Sequence, residues 1–363
     1  MTRLAEEIRA LILDGGPMGV DRFMALALGH PTLGYYVTRD PFGAAGDFTT
    51  APETSQMFGE LVGAWAVAVW TAMGQPETLR LVELGPGRGT LLADALRVAR
   101  RQPAFLAALD LHLVETSPIL RQVQRETLSN CGRPLTWHED LDAVPPGPTI
   151  MIANEFFDAL PVRHYVKTPA GWRQRLVGLD GDALTFGLQP ETEPALTVEA
   201  PDGAVLEVGL VAQGIAKALA QRLLRDGGSA LIIDYGYTKP AFAETLQALQ
   251  RHGYADPLAD PGEADLSVQV DFGGLRRAAE SAGAVVHGPV PQGRFLRTLG
   301  IAERASALSG RATPDQAAAI AAALDRLTGV GTPERPGMGE MFKALCLASP
   351  NLPVPPGFEA TVP

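Results

Sequence analysis

The sequence predicts an α/β protein built around a Rossmann-like sheet. From residue 79 onward, short apolar runs typical of buried strands alternate with amphipathic helical segments. That order is expected for parallel strands covered by helices on both faces. The first of these strands also runs directly into a glycine-rich turn and a helix, an arrangement that brings backbone N–H groups close to a bound ligand.

The elements follow from hydrophobic periodicity and from turn residues. Helices are predicted at residues 1–14, 21–28, 55–73, 91–101 and 117–128, with an alanine-rich helical stretch at 295–328. Strands of the sheet are predicted at residues 79–84, 111–115, 135–137, 149–153, 230–234 and 341–347. Residues 29–50 are expected to form a long ordered loop, and loops of that length are often functional.

The chain is predicted to have three parts. Residues 1–75 would supply N-terminal helices and a loop that covers the ligand, whereas residues 76–161 and 211–350 would form the α/β core. A helical insertion at about 295–330 interrupts that core. Residues 162–210 contain short runs separated by turn residues, and these predict an inserted region of antiparallel hairpins.

The composition excludes several classes of protein. Hydrophobic residues make up 46% of the 363 residues and charged residues 20%, which is typical of a globular chain. The net charge of −11 disfavours nucleic acid as a partner. The apolar runs are too short for membrane insertion, and the N-terminal segment resembles neither a signal nor a transit peptide. We therefore expect a cytoplasmic protein, and the sequence leaves a homodimer open.

The glycine loop after the first sheet strand indicates the ligand. Glu83 lies on the strand two residues before Gly85, and Gly87 and Gly89 follow. A dinucleotide fingerprint would require a third glycine where Thr90 stands. A carboxylate on the strand suits a ligand with an ammonium group and no pyrophosphate. S-adenosylmethionine carries such a group, so we predict it as the cofactor and disfavour NAD.

Further polar residues are candidates for the same cofactor site. Glu115 ends the second strand, where an acid can accept hydrogen bonds from ribose hydroxyls; a helix cap or a solvent-facing position is the alternative. Asp140 would either accept from the adenine amino group or cap a helix. In the long N-terminal loop, Asp47 or Thr49 would lie near the amino-acid end of the cofactor. Alternatively, this loop forms a turn that places Phe48 in the core.

The end of the fourth strand offers polar groups within an apolar wall. Asn154, Glu155 and Asp158 stand beside Phe156 and Phe157. In sheets of this class, reacting groups gather at the carboxyl ends of the strands, so the three polar residues are catalytic candidates. The alternative is a simple turn with two phenylalanines in the core.

With these segments in view, the chain resembles the MidA-like methyltransferases, formerly a family of unknown function. The similarity runs from about the first helix to the last strand. Its matching pieces are Gly34-Tyr35-Tyr36, Gly46-Asp47-Phe48-Thr49-Thr50, Phe58-Gly59-Glu60, residues 81–90, Val114-Glu115-Thr116-Ser117, residues 154–161, Ile233-Asp234-Tyr235-Gly236, Val270-Asp271-Phe272, Gln292-Gly293 with Phe295-Leu296, and Met338-Gly339. The Gly-Asp-Phe-Thr and Asn-Glu-Phe-Phe-Asp-Ala-Leu-Pro pieces are far more specific than the glycine loop.

The resemblance implies a class I methyltransferase sheet and a protein-arginine methyltransferase that produces symmetric dimethylarginine. Its substrate would be a subunit of respiratory complex I during assembly. An arginine stays protonated near neutral pH, and carboxylates can hold its guanidinium by forked hydrogen bonds. Glu155 is the favoured holding group, with Asp158 as the second candidate. The alternative is that both carboxylates only hold their loop in place. Phe156, Asp234 and Tyr235 are expected to line the acceptor site.

Other functions are compatible with parts of this pattern. A nicotinamide oxidoreductase is disfavoured by Glu83 and Thr90. A non-enzymatic assembly factor that binds the cofactor, or a methyltransferase with a different acceptor, would carry the same binding residues. No two histidines have metal-ligand spacing on one predicted element, and transfer from a sulfonium requires no metal, so no metal site is predicted.

Overall fold

The computed structural model describes residues 2–39, 50–250, 253–332 and 334–359. Its helices are α1 (Arg3–Gly15), α2 (Val20–Gly29), α3 (Tyr35–Thr38), α4 (Ala51–Thr54), α5 (Gln56–Ala72), α6 (Thr90–Ala99), α7 (Pro103–Ala108), α8 (Pro118–Thr127), α9 (Leu210–Asp226), α10 (Phe272–Ser281), α11 (Gln292–Thr298), α12 (Ile301–Ser309), α13 (Pro314–Thr328) and α14 (Met338–Met341). Its strands are β1 (Met18–Gly19), β2 (Leu79–Leu84), β3 (Leu109–Val114), β4 (Leu135–His138), β5 (Thr149–Asn154), β6 (Arg163–Thr168), β7 (Gly171–Asp180), β8 (Ala183–Leu188), β9 (Val205–Val208), β10 (Gly228–Tyr237), β11 (Gln247–Gln250), β12 (Gly253–Ala255), β13 (Asp265–Ser267), β14 (Val270–Asp271), β15 (Val285–Pro291) and β16 (Phe342–Ala348).

The chain divides into two compact units. The first unit comprises Met1–Phe48, Phe157–Ile215 and Tyr237–Gly274, and the second comprises Thr49–Phe156, Ala216–Gly236 and Leu275–Pro363. Each unit has its own cluster of buried apolar side chains. The three-part division predicted from the sequence stays a proposal.

The second unit contains the sheet predicted from the alternating pattern. Seven of its strands follow the order β15-β16-β10-β5-β2-β3-β4. The neighbours from β10 to β4 are parallel, whereas β16 runs antiparallel to both β10 and β15. The expectation of a wholly parallel sheet is therefore corrected at β16. Its near-continuous burial reads the same in either direction, so the pattern could not indicate strand polarity.

The edge strand β15 was missing from the predicted elements. It contains Gly288 and Pro289, and its register with β16 shifts between His287 and Val290. Glycine and proline are residues that normally indicate a loop, and an edge strand tolerates them because one side of it needs no ladder hydrogen bonds. The helical stretch predicted at residues 295–328 is confirmed as α11, α12 and α13.

Helices α5 and α6 pack closely over the core of the second unit. A Cβ atom built on Gly63 would lie 2.7 Å from the Cα atom of Ala95, so only glycine permits this approach. The buried Glu60 carboxylate accepts two hydrogen bonds from Arg304 of α12, at 2.7 and 2.9 Å. This ion pair fastens the C-terminal helices to α5. Gly63 and Glu60 thus both have structural functions, and Glu60 is the last residue of the Phe58-Gly59-Glu60 motif.

The first unit contains the predicted hairpins. Strands β6 and β7 pair antiparallel, as do β7 and β8, which confirms antiparallel structure within residues 162–210. Strands β1 and β9 extend this sheet, and a smaller sheet of order β12-β11-β13 was not predicted. The core of this unit lies among α1, α2 and these sheets and includes Ile8, Phe23, Val177 and Leu266.

The N-terminal segment differs in part from the predicted long loop. Residues 35–38 form the helical turn α3, where Tyr35 is fully buried. Much of the remaining loop, including Asp47 and Thr49, lies outside the described residues. Among the described residues, no helix is both long enough and apolar enough to cross a bilayer.

Candidate functional site

The glycine loop joins β2 to α6 in the second unit. Gly85, Gly87 and Gly89 have φ angles of +61°, +53° and +82°, in the left-handed region that favours glycine. A Cβ atom on Gly85 would lie 2.8 Å from Cδ2 of Phe156, so the loop passes closely beneath that ring. The loop is therefore a turn of bare backbone directly before the N-terminus of α6, the geometry that brings N–H groups against a ligand.

Glu83 is buried immediately before this loop. Its side chain is 4% exposed, and its Oε2 atom is buried without a hydrogen-bond partner among the described residues. Burial raises the pKa of this carboxyl from 4.5 to about 8. A buried carboxylate without a partner is costly, and a ligand ammonium would supply the missing donor and counter-charge. The residues present thus fit the amino-acid end of S-adenosylmethionine.

Glu115 follows β3, the strand next to β2. Its Oε1 atom accepts the backbone N–H of Ser117 over 2.8 Å, and its Oε2 atom accepts from the Gln124 side chain over 3.1 Å. Burial raises the pKa of Glu115, and the donated hydrogen bonds oppose that rise. A carboxylate has about four acceptor positions, so these contacts orient the group without using all of them. Glu115 is buried and oriented, as a ribose-binding acid requires.

Gln124 is a residue of this site that the sequence reasoning missed. It is fully buried on α8, and its amide also donates to the Gly87 carbonyl oxygen over 2.7 Å. The available signal was a polar residue within an apolar helical stripe, because Leu120, Gln124 and Leu128 share one face. A glutamine at such a position must find polar partners inside the protein.

The carboxyl end of β5 presents Asn154 and Glu155 beside the glycine loop. Glu155 has a φ angle of +50°, which is uncommon for a residue with a side chain and is characteristic of functional sites. Its Oε1 atom accepts from the backbone N–H of Ala51 over 2.9 Å and from Nδ2 of Asn154 over 3.1 Å. The Oδ1 atom of Asn154 is buried without a hydrogen-bond partner among the described residues.

The short helix α4 is attached to the same edge of the sheet. Besides the contact of Ala51 with Glu155, the Thr90 hydroxyl donates to Oε1 of Glu53 over 2.5 Å. Thr90 is the first residue of α6, directly after the glycine loop. The segment that follows the predicted covering loop is therefore fixed against both the glycine loop and the end of β5.

The remaining predicted residues have varied surroundings. Asp234 is fully buried within β10, three residues before the strand ends, and its Oδ1 atom accepts the N–H of Tyr235. Asp140 is exposed, and its Oδ1 atom accepts the N–H of Ala143 over 2.8 Å, so it caps a turn. Asp158 belongs to the first unit, where its carbonyl oxygen accepts from the N–H of Val268.

The structure thus gathers most of the predicted site in one unit. The glycine loop, the acids that precede and flank it, and the end of β5 all belong to neighbouring strands of the second unit. Residues 154–156 belong to the second unit, whereas Asp158 belongs to the first. The role of each residue stays a proposal.

Comparisons with known proteins agree with this geometry. Residues 61–290 match the sequence family described as "Putative S-adenosyl-L-methionine-dependent methyltransferase". The chain is 37% identical to protein arginine methyltransferase NDUFAF7 of Danio rerio, over 94% of this chain and 85% of the relative. It is 39% identical to the Homo sapiens protein of that name, over 85% and 76%. A crystal structure from Burkholderia thailandensis, bound to S-adenosyl-homocysteine, has a TM-score of 0.85 and 28% identity, covering 99% of this chain and 94% of that one.

These comparisons decide four of the predictions. The cofactor, the class I sheet and the MidA-like resemblance are confirmed. The cytoplasmic localisation is wrong, because the animal relatives are named as mitochondrial proteins. That prediction rested on the short apolar runs and on an N-terminal segment that resembles neither a signal nor a transit peptide, and neither observation identifies the compartment. With a family match over most of the chain and close relatives along nearly its whole length, the chain belongs to this family of S-adenosyl-L-methionine-dependent methyltransferases.

Proposed function

We propose that this methyltransferase modifies an arginine side chain of a protein substrate. The activity named for its relatives supports this acceptor. The observation that carries the proposal is the pair formed by Asn154 and Glu155 at the carboxyl end of β5. A carboxylate and an amide oxygen at one point, beside the cofactor loop, are acceptors that suit the donor-only guanidinium group.

The chemistry asks the protein chiefly to hold and orient the acceptor. Bound S-adenosylmethionine supplies a methyl group on a sulfonium. The guanidinium stays protonated because its pKa lies above about 12. Its positive charge must therefore be localised away from the nitrogen that attacks the methyl group. The carboxylate of Glu155 draws that charge toward itself through charge-assisted hydrogen bonds. The buried Oδ1 atom of Asn154 adds a neutral acceptor that can fix the plane of the group.

The attachment of α4 supports a covering function for the preceding loop. Because Ala51 and Glu53 are hydrogen-bonded to Glu155 and Thr90, the start of α4 lies beside the cofactor loop. Excluding water there strengthens electrostatic interactions with the sulfonium and the guanidinium. The proposed roles of Asp47 and Thr49 toward the amino-acid end of the cofactor rest on the sequence alone, since both lie outside the described residues.

The finer part of the proposal concerns product and substrate. We propose symmetric dimethylarginine as the product and a subunit of respiratory complex I as the substrate, on the resemblance to the MidA-like family. Asp158, Asp234 and Tyr235 remain candidates to contact the acceptor. Non-enzymatic cofactor binding and a different acceptor are the competing functions.

The test is methyl transfer from labelled S-adenosylmethionine into extracts that contain complex I subunits, followed by mass spectrometry of the labelled residue. Label on arginine, with fragment ions of the symmetric isomer, is the expected result. Label on another type of residue would identify a different methyl acceptor. Absence of label from a protein that binds the cofactor by calorimetry would favour the assembly factor.

A further inference from the structure

The side chain of Gln124 connects the two ends of the cofactor site. Its Nε2 atom lies 2.7 Å from the Gly87 carbonyl oxygen and 3.1 Å from Oε2 of Glu115, and its Oε1 atom lies 2.8 Å from Nε1 of Trp137. The glycine loop faces the amino-acid end of the proposed site, and Glu115 faces the ribose. One buried amide therefore contacts both.

The identity of the partners determines the orientation of the amide. The indole N–H of Trp137 is a donor only, so it must face the amide oxygen of Gln124. The carbonyl of Gly87 and the carboxylate of Glu115 are acceptors only, so both must face the amide nitrogen. No other uncharged side chain with this reach supplies two donors and one acceptor in a single plane.

The surroundings keep this bridge in place. Gln124 is fully buried on α8, a helix whose first turn is capped by the Ser117 hydroxyl. The same Ser117 donates its backbone N–H to Oε1 of Glu115. Arg125 lies over the Trp137 ring, with 5.0 Å between its guanidinium carbon and the ring centroid. Helix α8 thus fixes both oxygens of Glu115, and the Gln124 side chain carries that constraint across to the glycine loop.

We propose that Gln124 is a positioning residue for the cofactor, which sets the Glu115 carboxylate and the Gly87 peptide in one fixed arrangement. The proposal rests on the proposed cofactor roles of Glu115 and the glycine loop. It is independent of the methyl acceptor. Without the bridge, each group must be ordered when the cofactor binds, and that cost appears as weaker binding and not as slower chemistry.

The test is calorimetric titration of the full chain with S-adenosyl-homocysteine. Gln124→Met keeps the length of the side chain and removes the polar contacts, and it is expected to raise Kd by about tenfold or more. The matched control is Gln122→Met on the same helix, where the exposed Gln122 donates a hydrogen bond to Glu126 and takes no part in the bridge. The control is expected to bind like the wild type.

A double-variant cycle separates positioning from a merely structural contribution. Because Gln124 acts partly through Glu115, the Kd increase of Gln124→Met is expected to shrink in a Glu115→Ala background. Independent, multiplicative increases would overturn the bridge. For the active enzyme, KM for S-adenosylmethionine should rise while kcat at saturation stays within about twofold. A lowered kcat with unchanged KM would also overturn it.

Trp137→Phe provides a second variant in case Gln124→Met does not fold. It leaves the amide in place and removes only the N–H that fixes its orientation. A smaller increase in Kd, about threefold to tenfold, is expected. Wild-type affinity in either variant would refute the proposal. Failure of the wild type itself to bind S-adenosyl-homocysteine would instead contradict the cofactor assignment.

Discussion

Glu155 accepts the backbone N–H of Ala51 over 2.9 Å, so the carboxylate proposed to hold the methyl acceptor also fixes the start of α4. The two functions use different properties of the side chain. An oxygen atom is enough to accept from Ala51, whereas holding a guanidinium firmly requires the negative charge. A substitution that keeps the oxygen and removes the charge can therefore separate them.

Glu155→Gln is that substitution. Its amide oxygen can still accept from Ala51, but the charge-assisted hydrogen bonds are lost, and these contribute roughly 1.5–3 kcal/mol. The methylation rate should fall about tenfold to a hundredfold, with little change in Kd for S-adenosyl-homocysteine. The exposed Glu139 provides the matched control, Glu139→Gln. Loss of cofactor binding would assign Glu155 to the cofactor site, and an unchanged rate would favour Asp158 or Asp234 as the holding group.

The cofactor itself should stabilise the folded protein. A ligand that binds only the native state raises stability by mass action, so saturating S-adenosylmethionine or S-adenosyl-homocysteine should raise Tm. NAD should not, because its pyrophosphate gains nothing from Glu83 and Thr90 replaces the third glycine. Thermal unfolding with each compound at equal concentration measures the difference. A flat response to both S-adenosyl compounds would contradict the site.

Gly87→Val should abolish cofactor binding. The φ angle of +53° is strained for any residue with a Cβ atom and especially for a branched one, by about 1–2 kcal/mol. The added side chain would also occupy the space beside the loop backbone. Gly187→Val is the control, because Gly187 lies in β8, a Cβ there meets nothing within 4 Å, and valine favours strands. Unchanged affinity of Gly87→Val by calorimetry would show that the ligand approaches elsewhere.

Glu83 should make the ligand-free protein less stable as pH rises. The unfolded carboxyl ionises above 4.5, whereas the folded one keeps its proton until about pH 8. As the pH rises between those values, ionisation of Glu83 in the unfolded state lowers the free energy of unfolding, by about 3 kcal/mol at pH 7. Glu83→Gln removes this term, so its unfolding midpoint should exceed that of the wild type by more at pH 8 than at pH 5. Glu77→Gln, an exposed change just before β2, should give no such pH-dependent difference.

Cofactor affinity should depend on pH for the same reason. Below pH 8 the empty site holds a protonated Glu83, and pairing with an ammonium requires release of that proton. Affinity should therefore rise by up to about tenfold per pH unit from pH 6 to 8. Above that range an α-amino group, with a pKa of about 8, loses its own proton, and affinity should stop rising or fall. A pH-independent Kd in the wild type, or the same profile in Glu83→Gln, would exclude this pairing.

Those features that depend on neighbouring residues could be predicted before the structure was known. The strand at residues 79–84, its glycine turn and the following helix appear where they were predicted, because burial and turn formation depend on local pattern. The position of Glu83 beside the loop follows for the same reason, because it lies two residues before Gly85, whereas its pairing with an ammonium group stays a proposal. The position of Asn154 and Glu155 at the end of a strand was predictable in the same way, from the residues next to them.

Contacts between segments that are distant in the sequence became visible only in the folded protein. The direction of β16 follows from which strands it pairs with, and its burial pattern is the same in both directions. The contacts from which we propose a role for Gln124 form only because α8 lies against both the glycine loop and Glu115. Ala51 and Glu155 are 104 residues apart, and their hydrogen bond forms because packing of the sheet edge brings a donor to an acceptor. Local periodicity reports which residues are buried, but the partner of each buried polar group is set by the three-dimensional path of the chain.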